Sequence, residues 1–368
     1  MAGQGWIASA RYDGFFFFGT ALLAVLAGVL VLVAPVLVVP LWWLWLGLVD
    51  GPHFAATWVR TYLDPHERRT RGPLLAGSLL LWLPGFVALG LNRLLSSPMP
   101  FEAFLGLSAL WSIHHGVRQH FGIMSIYQRL SGASPRVRRQ DWAFLHGTIW
   151  LLFIVYLLVF PVNRTILGLP AEAGLKEQWA VRALAATSVS IVVGYALLLG
   201  LRWRRGEAIR PGLYALVVAV GTSAFGYFVV GAFEPLVPSP SNTEQLSFAV
   251  VLVGGSLHGM QYLGIIFATG RRRYGTSTET SLAARLGRAP VLTYVALVLV
   301  SLLYLVVNAS RGVAPDIAFF PFDSDAARLF LALYWGGALH HYYLDQKIWH
   351  PRRDPVLRRE LGMADSPS

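Results

Sequence analysis

The chain has 368 residues, of which 55% are hydrophobic and 13% charged, with 13 Trp and a formal net charge of +11. That is more apolar surface than one soluble core can hide, so the composition points to an all-α, polytopic integral-membrane helix bundle. The absence of cysteine removes disulfides, cysteine-ligated iron-sulfur clusters and thiol catalysis, leaving imidazole and carboxylate as the ligands for any metal.

The first apolar run, Phe15 to Val33, exceeds the roughly 7 to 15 residues of a signal-peptide core and lacks a basic leader, so it reads as a first span. With about 20 residues needed to cross a bilayer, ten spans are predicted, at 14–36, 38–62, 74–96, 101–128, 142–162, 181–202, 211–233, 246–269, 290–308 and 326–347. Arginine clusters within 68–71, 129–139, 202–210, 271–288 and 352–359 follow the even-numbered spans. By the positive-inside rule both termini then face the cytoplasm, as in a bacterial inner-membrane protein. Residues 1–368 form one transmembrane domain with short loops and tails. Arginines scattered over five loops without an aromatic platform argue against nucleic acid as a partner. Asn163 and Asn308 match glycosylation sequons, to which no role is assigned.

Eight of the ten histidines fall within the spans: His53, His114, His115, His120, His146, His258, His340 and His341. An imidazole in hydrocarbon is costly unless it is paired, hydrated or bound, so this concentration marks a functional site. In the second span Asp50, His53, Thr57 and Arg60 share one helical face, and Pro52 interrupts the helix and frees backbone carbonyls. The same stripe also reads as a structural Asp50–Arg60 network with His53 as an uncharged bystander.

In the fourth span His114 and Arg118 stack, as do His115 and Gln119, whereas His120 points roughly 140° away from His115 on an ideal helix. One mononuclear site does not easily use both. Two metals, a π-bulge near Gly116 or an indirect role for one histidine would reconcile the spacing. The eighth span adds His258, flanked by glycines that permit close helix approach. His146 reads as interfacial, and His66 and His350 as loop residues facing water.

The tenth span carries His340, His341 and, four residues after the latter, Asp345. That separation lets a carboxylate orient a ligating imidazole or share its metal. The alternative is an interfacial Asp345–Lys347 pair with Tyr342, Tyr343 and Trp349 as an aromatic belt. Counting back from the basic loops puts His258, His120 and His341 roughly 20, 13 and 9 Å deep, in the inner leaflet. The candidate metal ligands are therefore His53, His114, His115, His120, His258, His340 and His341, with Asp50 and Asp345 as catalytic or supporting acids.

His115-x4-His120 resembles the first histidine box of the integral-membrane desaturase and hydroxylase superfamily, and His340-His341 resembles the end of its last box. No His-x-x-His-His box is present, and Gly337 stands where the last box has its leading His or Gln. Pro52-His53 with single scattered histidines is loosely similar to the bacterial carotenoid-cleaving membrane oxygenases of the Brp/Blh type. The resemblance implies non-haem iron, one or two ions, and dioxygen acting on a lipid-soluble substrate. Independently, a nitrogen-rich, sulfur-free ligand set suits iron, zinc or copper. A site in the inner leaflet suits a substrate arriving through membrane lipid and electrons arriving from a cytoplasmic donor. Zinc hydrolysis, a haem or quinone electron carrier and an ion-coupled transporter are the alternatives.

Overall fold

The computed structural model describes residues 5–159, 178–221, 242–303 and 324–363. Among these every regular element is a helix. Among the described residues four helices are long and apolar enough to cross a membrane: Ala10–Val31, Pro65–Leu95, Ala186–Arg204 and Val251–Tyr274. Leu282–Arg288 and Pro290–Leu302, bent by 118° at a short break, add a fifth if they form one span. The Met99–Leu130 and Asp325–Ile348 helices have the length, but His114, His115, Arg118 and His120 in one and His340, His341, Asp345 and Lys347 in the other dilute their apolarity. Ten spans thus exceeds what the described residues establish. Both sequons, and the ends of the fifth, seventh and ninth predicted spans, lie outside the described residues.

The Pro290–Leu303 helix has the polarity of a lipid-facing segment. Its exposed face carries Val291 at 79% and Leu299 at 59% relative exposure, while its buried face carries Thr293 and Ser301 at 3% and 1%. In water that distribution would be inverted.

The chain divides into two compact units, 1–38 with 116–258, and 39–115 with 259–368. The division falls inside two continuous helices, Met99–Leu130 and Asn242–Tyr274.

In the first unit the fully buried Asp13 carboxylate accepts from the Ile7 and Ala8 amides at 2.6 and 2.9 Å and from the Tyr127 hydroxyl at 2.8 Å. Phe17 and Phe18 pack against Tyr127, and Phe18 also against Tyr214. A second fully buried acid, Asp141, accepts from Arg202 at 2.6 Å and Tyr195 at 2.7 Å. Sequence reading placed only Asp50 and Asp345 deep. Asp13 and Asp141 stand at the starts of apolar runs, where an interfacial position is the simpler expectation.

The second unit shows what Pro52 does. The helix Val38–Trp45 passes through a π-helical turn, Leu46–Asp50, into the helix Gly51–Arg60. Proline has no amide hydrogen, so a carbonyl one turn earlier loses its donor. Hydroxyls of Pro290–Leu303 make up the loss: Tyr294 donates to the Leu48 carbonyl and Ser301 to the Gly47 carbonyl, both at 2.8 Å. A Cβ at Gly51 would collide with Ser301, so glycine lets these helices approach closely. Gly336 plays the same part against the Trp82 backbone, which a Cβ would meet at 3.0 Å. The apolar core of this unit centres on Phe54, Phe101, Phe104, Ala332, Ala338 and Leu339.

Arg60 does not run its network through Asp50. Its guanidinium lies 2.8 Å from Glu360, 3.8 Å from Glu67 and 3.9 Å from Asp64. Arg273 reaches the same three acids at 3.1 to 3.4 Å, and Arg71 bridges Glu67 and Asp354 at 2.8 and 2.9 Å. Burial raises the Asp354 carboxyl, but the Leu357 amide and then Arg71 and Arg60 outweigh it and hold it below the usual carboxylate range. Burial prevails at Glu360, whose carboxyl is raised despite Arg60 and Arg273.

Candidate metal centre

Three histidines converge in the second unit. His53 comes from the first turns of Gly51–Arg60, His115 from the middle of Met99–Leu130, and His341 from Asp325–Ile348. All three are buried, at 3%, 3% and 1% relative exposure. One ring nitrogen of each lies within 4.8 Å of the corresponding nitrogens of the others. The His53 and His341 rings are 4.4 Å apart and near perpendicular, and His115 and His341 are 5.0 Å apart.

Around a shared ion with bonds of about 2.1 Å, ligand atoms lie no more than about 4.2 Å apart. These nitrogens would therefore have to draw together to share one ion, and the donor set fits a borderline transition metal.

Asp345 stands one turn beyond His341. Its Oδ2 lies 3.6 Å from His341 Nε2 and 3.9 Å from His115 Nε2, and makes no hydrogen bond among the described residues. Its Oδ1 accepts from the Tyr262 hydroxyl at 2.7 Å and from Thr57 at 3.3 Å. Thr57 Oγ1 is also 2.7 Å from the Tyr262 hydroxyl and 2.6 Å from His341 Nδ1. Asp345 thus accepts from Tyr262 and Thr57, with no contact to Lys347 needed to explain it.

The aromatic neighbours close the site. Tyr342 stacks on His115 at 4.4 Å, and Phe54 lies 4.8 Å from the His341 ring. Gly259 allows its helix to meet His53: a Cβ there would stand 2.9 Å from Val49 Cγ1 and 3.6 Å from His53 Cβ.

Of the other sequence candidates, His114, His120, His146, His340 and Asp50 lie outside the clustered ligands. His120, in the first unit, has its Nδ1 3.2 Å from the Tyr214 hydroxyl and its ring 6.0 Å from His258. Its divergence from His115 follows from the five-residue separation on an unbroken α-helix, and there is no π-bulge at Gly116. His258 closes the first unit, and its carbonyl accepts from Gln119 at 2.8 Å. His114 sits on an exposed face, as does Arg118. His340 is buried but turned to the Tyr62 hydroxyl, 2.8 Å from Nε2. Asp50 is buried at the head of Gly51–Arg60 and is not among the clustered ligands. His146 is half-buried and stacks on Trp142.

The sequence singles out neither Tyr262 nor the role of Thr57. Tyr262 is one of 14 tyrosines in an apolar helix, with nothing local to set it apart. Thr57 was legible as part of a polar stripe, but its partner is 284 residues away.

No family model matches the chain, and no curated protein or solved structure is similar to it at a significant level.

Proposed function

We propose that this chain is a membrane-embedded oxidoreductase that holds non-haem iron and acts on a lipid or isoprenoid substrate by hydroxylation, desaturation or oxidative cleavage. The observation that carries this reading is the convergence of His53, His115 and His341 with Asp345 Oδ2 at the same donor atoms. Iron so held would supply the open positions needed for dioxygen activation.

The protein's own part is to bind, orient and exclude. The imidazoles fix the ion, and Asp345 Oδ2 is the atom at which a proton is held or released beside it. Phe54 and Tyr342 keep bulk water from the rings they cover. Substrate would arrive through the lipid and electrons from a cytoplasmic donor.

The reading includes ten spans with both termini cytoplasmic in a bacterial inner membrane. Within the second unit, the arginine-rich segments that charge assigns to one side meet in a single network through Arg60, Arg71, Arg273, Asp354 and Glu360. Arg93 and Asp325, assigned to the other side, lie 3.7 Å apart. Both groupings support the assignment.

The test is elemental analysis of detergent-purified full-length protein, together with lipid extracts from expressing cells grown in isotopically labelled dioxygen. Bound iron with a labelled or dehydrogenated lipid product is the expected result. Zinc with activity on a soluble ester would replace the oxidoreductase by a hydrolase, and absence of any metal would remove the basis for both.

A further inference from the structure

The hydroxyl of Thr57 sits where it decides which nitrogen of His341 is free. A neutral imidazole carries one proton, and only the bare nitrogen can bind a metal. Four groups form a chain here: His341 Nδ1, Thr57 Oγ1, the Tyr262 hydroxyl and Asp345 Oδ1, joined by contacts of 2.6, 2.7 and 2.7 Å.

With Asp345 ionised, as it would be beside a bound cation, their proton inventory allows one assignment. A carboxylate only accepts, so the single Tyr262 proton goes to Asp345 Oδ1. The single Thr57 proton is then taken by the Tyr262 oxygen at 2.7 Å or by Asp345 Oδ1 at 3.3 Å. Thr57 has none left for His341, so Nδ1 must carry hydrogen and donate it to Oγ1. Nε2 is left with its lone pair, and Nε2 is the nitrogen 3.6 Å from Asp345 Oδ2.

We infer that Thr57, backed by Tyr262 and Asp345 Oδ1, is a positioning residue that locks His341 as the Nδ1–H tautomer and aims its Nε2 at the metal. The consequence for metal affinity rests on the metal reading proposed above, whereas the tautomer itself can be read without any ion. Carboxylates often orient ligating histidines from behind. Here the carboxylate faces the donor side, and a threonine takes the position behind the ring.

Thr57 is fully buried, and its carbonyl accepts from Thr61 Oγ1 at 2.6 Å, which pins the turn that carries it. Thr57→Val keeps the branched shape and removes the hydroxyl. Thr57→Ser keeps the hydroxyl. Tyr262→Phe removes the next link and leaves the Thr57 proton only the longer contact to Asp345 Oδ1, at 3.3 Å, as an alternative to His341.

The experiment has two readouts on full-length protein in detergent. Nitrogen-15 shifts of histidine-labelled metal-free protein, with His341→Gln to assign the signal, report the tautomer. Cobalt(II) titration followed in the visible region reports affinity. Wild type and Thr57→Ser should show His341 protonated at Nδ1, and Thr57→Val and Tyr262→Phe should shift it toward Nε2–H or a mixture. Cobalt affinity should fall roughly 10- to 100-fold in Thr57→Val and stay within a few-fold of wild type in Thr57→Ser.

A wild-type His341 protonated at Nε2, or a Thr57→Val protein with unchanged shifts and affinity, overturns the inference while leaving the metal site standing. Correct tautomers with no cobalt bound to wild type would instead defeat the metal reading. Should Thr57→Val fail to fold, the wild-type shift and Tyr262→Phe decide the matter.

Discussion

Asp345 faces the donor nitrogen of His341: Oδ2 lies 3.6 Å from Nε2, one helical turn along the same helix. A carboxylate that only steadied the ring would meet Nδ1, and that place is held by Thr57. Asp345 therefore stands on the metal side of the cluster with one oxygen tied to Tyr262 and the other turned to His115 and His341.

From this follows the behaviour of Asp345→Asn. The amide oxygen can still accept from Tyr262, so the helix pairing survives, but the negative charge beside the imidazoles is gone. Bound metal should drop by about 10-fold or more, and formation of the oxygen-labelled lipid product should fall further than metal content does. Metal content and product at wild-type levels would show that the carboxylate is only a structural acceptor.

A histidine scan separates the cluster from its surroundings. Alanine at His53, His115 or His341 should strip most of the metal, because each removes one ligand from a buried set. His66→Ala, His350→Ala and His146→Ala should leave it unchanged, since these side chains lie outside the convergent group. His120→Ala and His340→Ala are informative intermediates: each holds a tyrosine hydroxyl, at 3.2 and 2.8 Å, so losses there should be smaller than at His341. Equal metal loss at His66 and His341 would sink the proposed centre.

Much of this arrangement was legible in the chain. The four-residue step from His341 to Asp345 puts both on one helical face, and the five-residue step from His115 to His120 sends them apart. What the sequence withheld are the long-range pairings. Pro52 announces freed carbonyls, but not that Tyr294 and Ser301 receive them. Arg60 shares a helical face with Asp50, yet finds its acids in the neighbouring Pro65–Ser78 helix and near the C-terminus. Tyr262 joins Asp345 across 83 residues. Such contacts are set by helix packing, which hydrophobic periodicity does not encode.

Acid stability should depend on Asp354. Its carboxyl is held below its ordinary value of 3.8, so it is ionised in the folded state at a pH where the unfolded chain has begun to protonate. Its contribution is complete above 3.8 and is lost as the pH falls through the folded value. Asp354 also caps Pro355–Glu360 through the Leu357 amide at 3.0 Å. Asp354→Ala should cost about 1 kcal/mol at neutral pH, with the difference shrinking below pH 3.8. Glu360 acts with the opposite sign in a separate window, because its carboxyl is raised above 4.5 and gains a proton in the folded state first. Thermal unfolding of both proteins from pH 7 to 3 measures this. A difference that grows on acidification would contradict the depressed carboxyl at Asp354.

The last prediction concerns sidedness. Charge alone assigns the segments after the second, eighth and tenth predicted spans to the cytoplasm, and side chains from those three segments share one buried ion network in the second unit. In the first unit Arg210 lies over Trp6 at 4.4 Å, joining the N-terminal segment to the loop before the seventh span. Arg93 and Asp325 pair at what the same count makes the outer ends of the third and tenth spans. An odd error in the number of crossings would force at least one of these pairings across the bilayer, which the 3.7 Å and 2.8 Å separations forbid. Reporter domains fused after Arg139 and Arg273 should therefore label as cytoplasmic, and one fused after Ser97 as external. A cytoplasmic signal after Ser97, with Arg273 still cytoplasmic, would mean that residues 65–95 enter and leave on the same side, and the ten-span count would have to be abandoned.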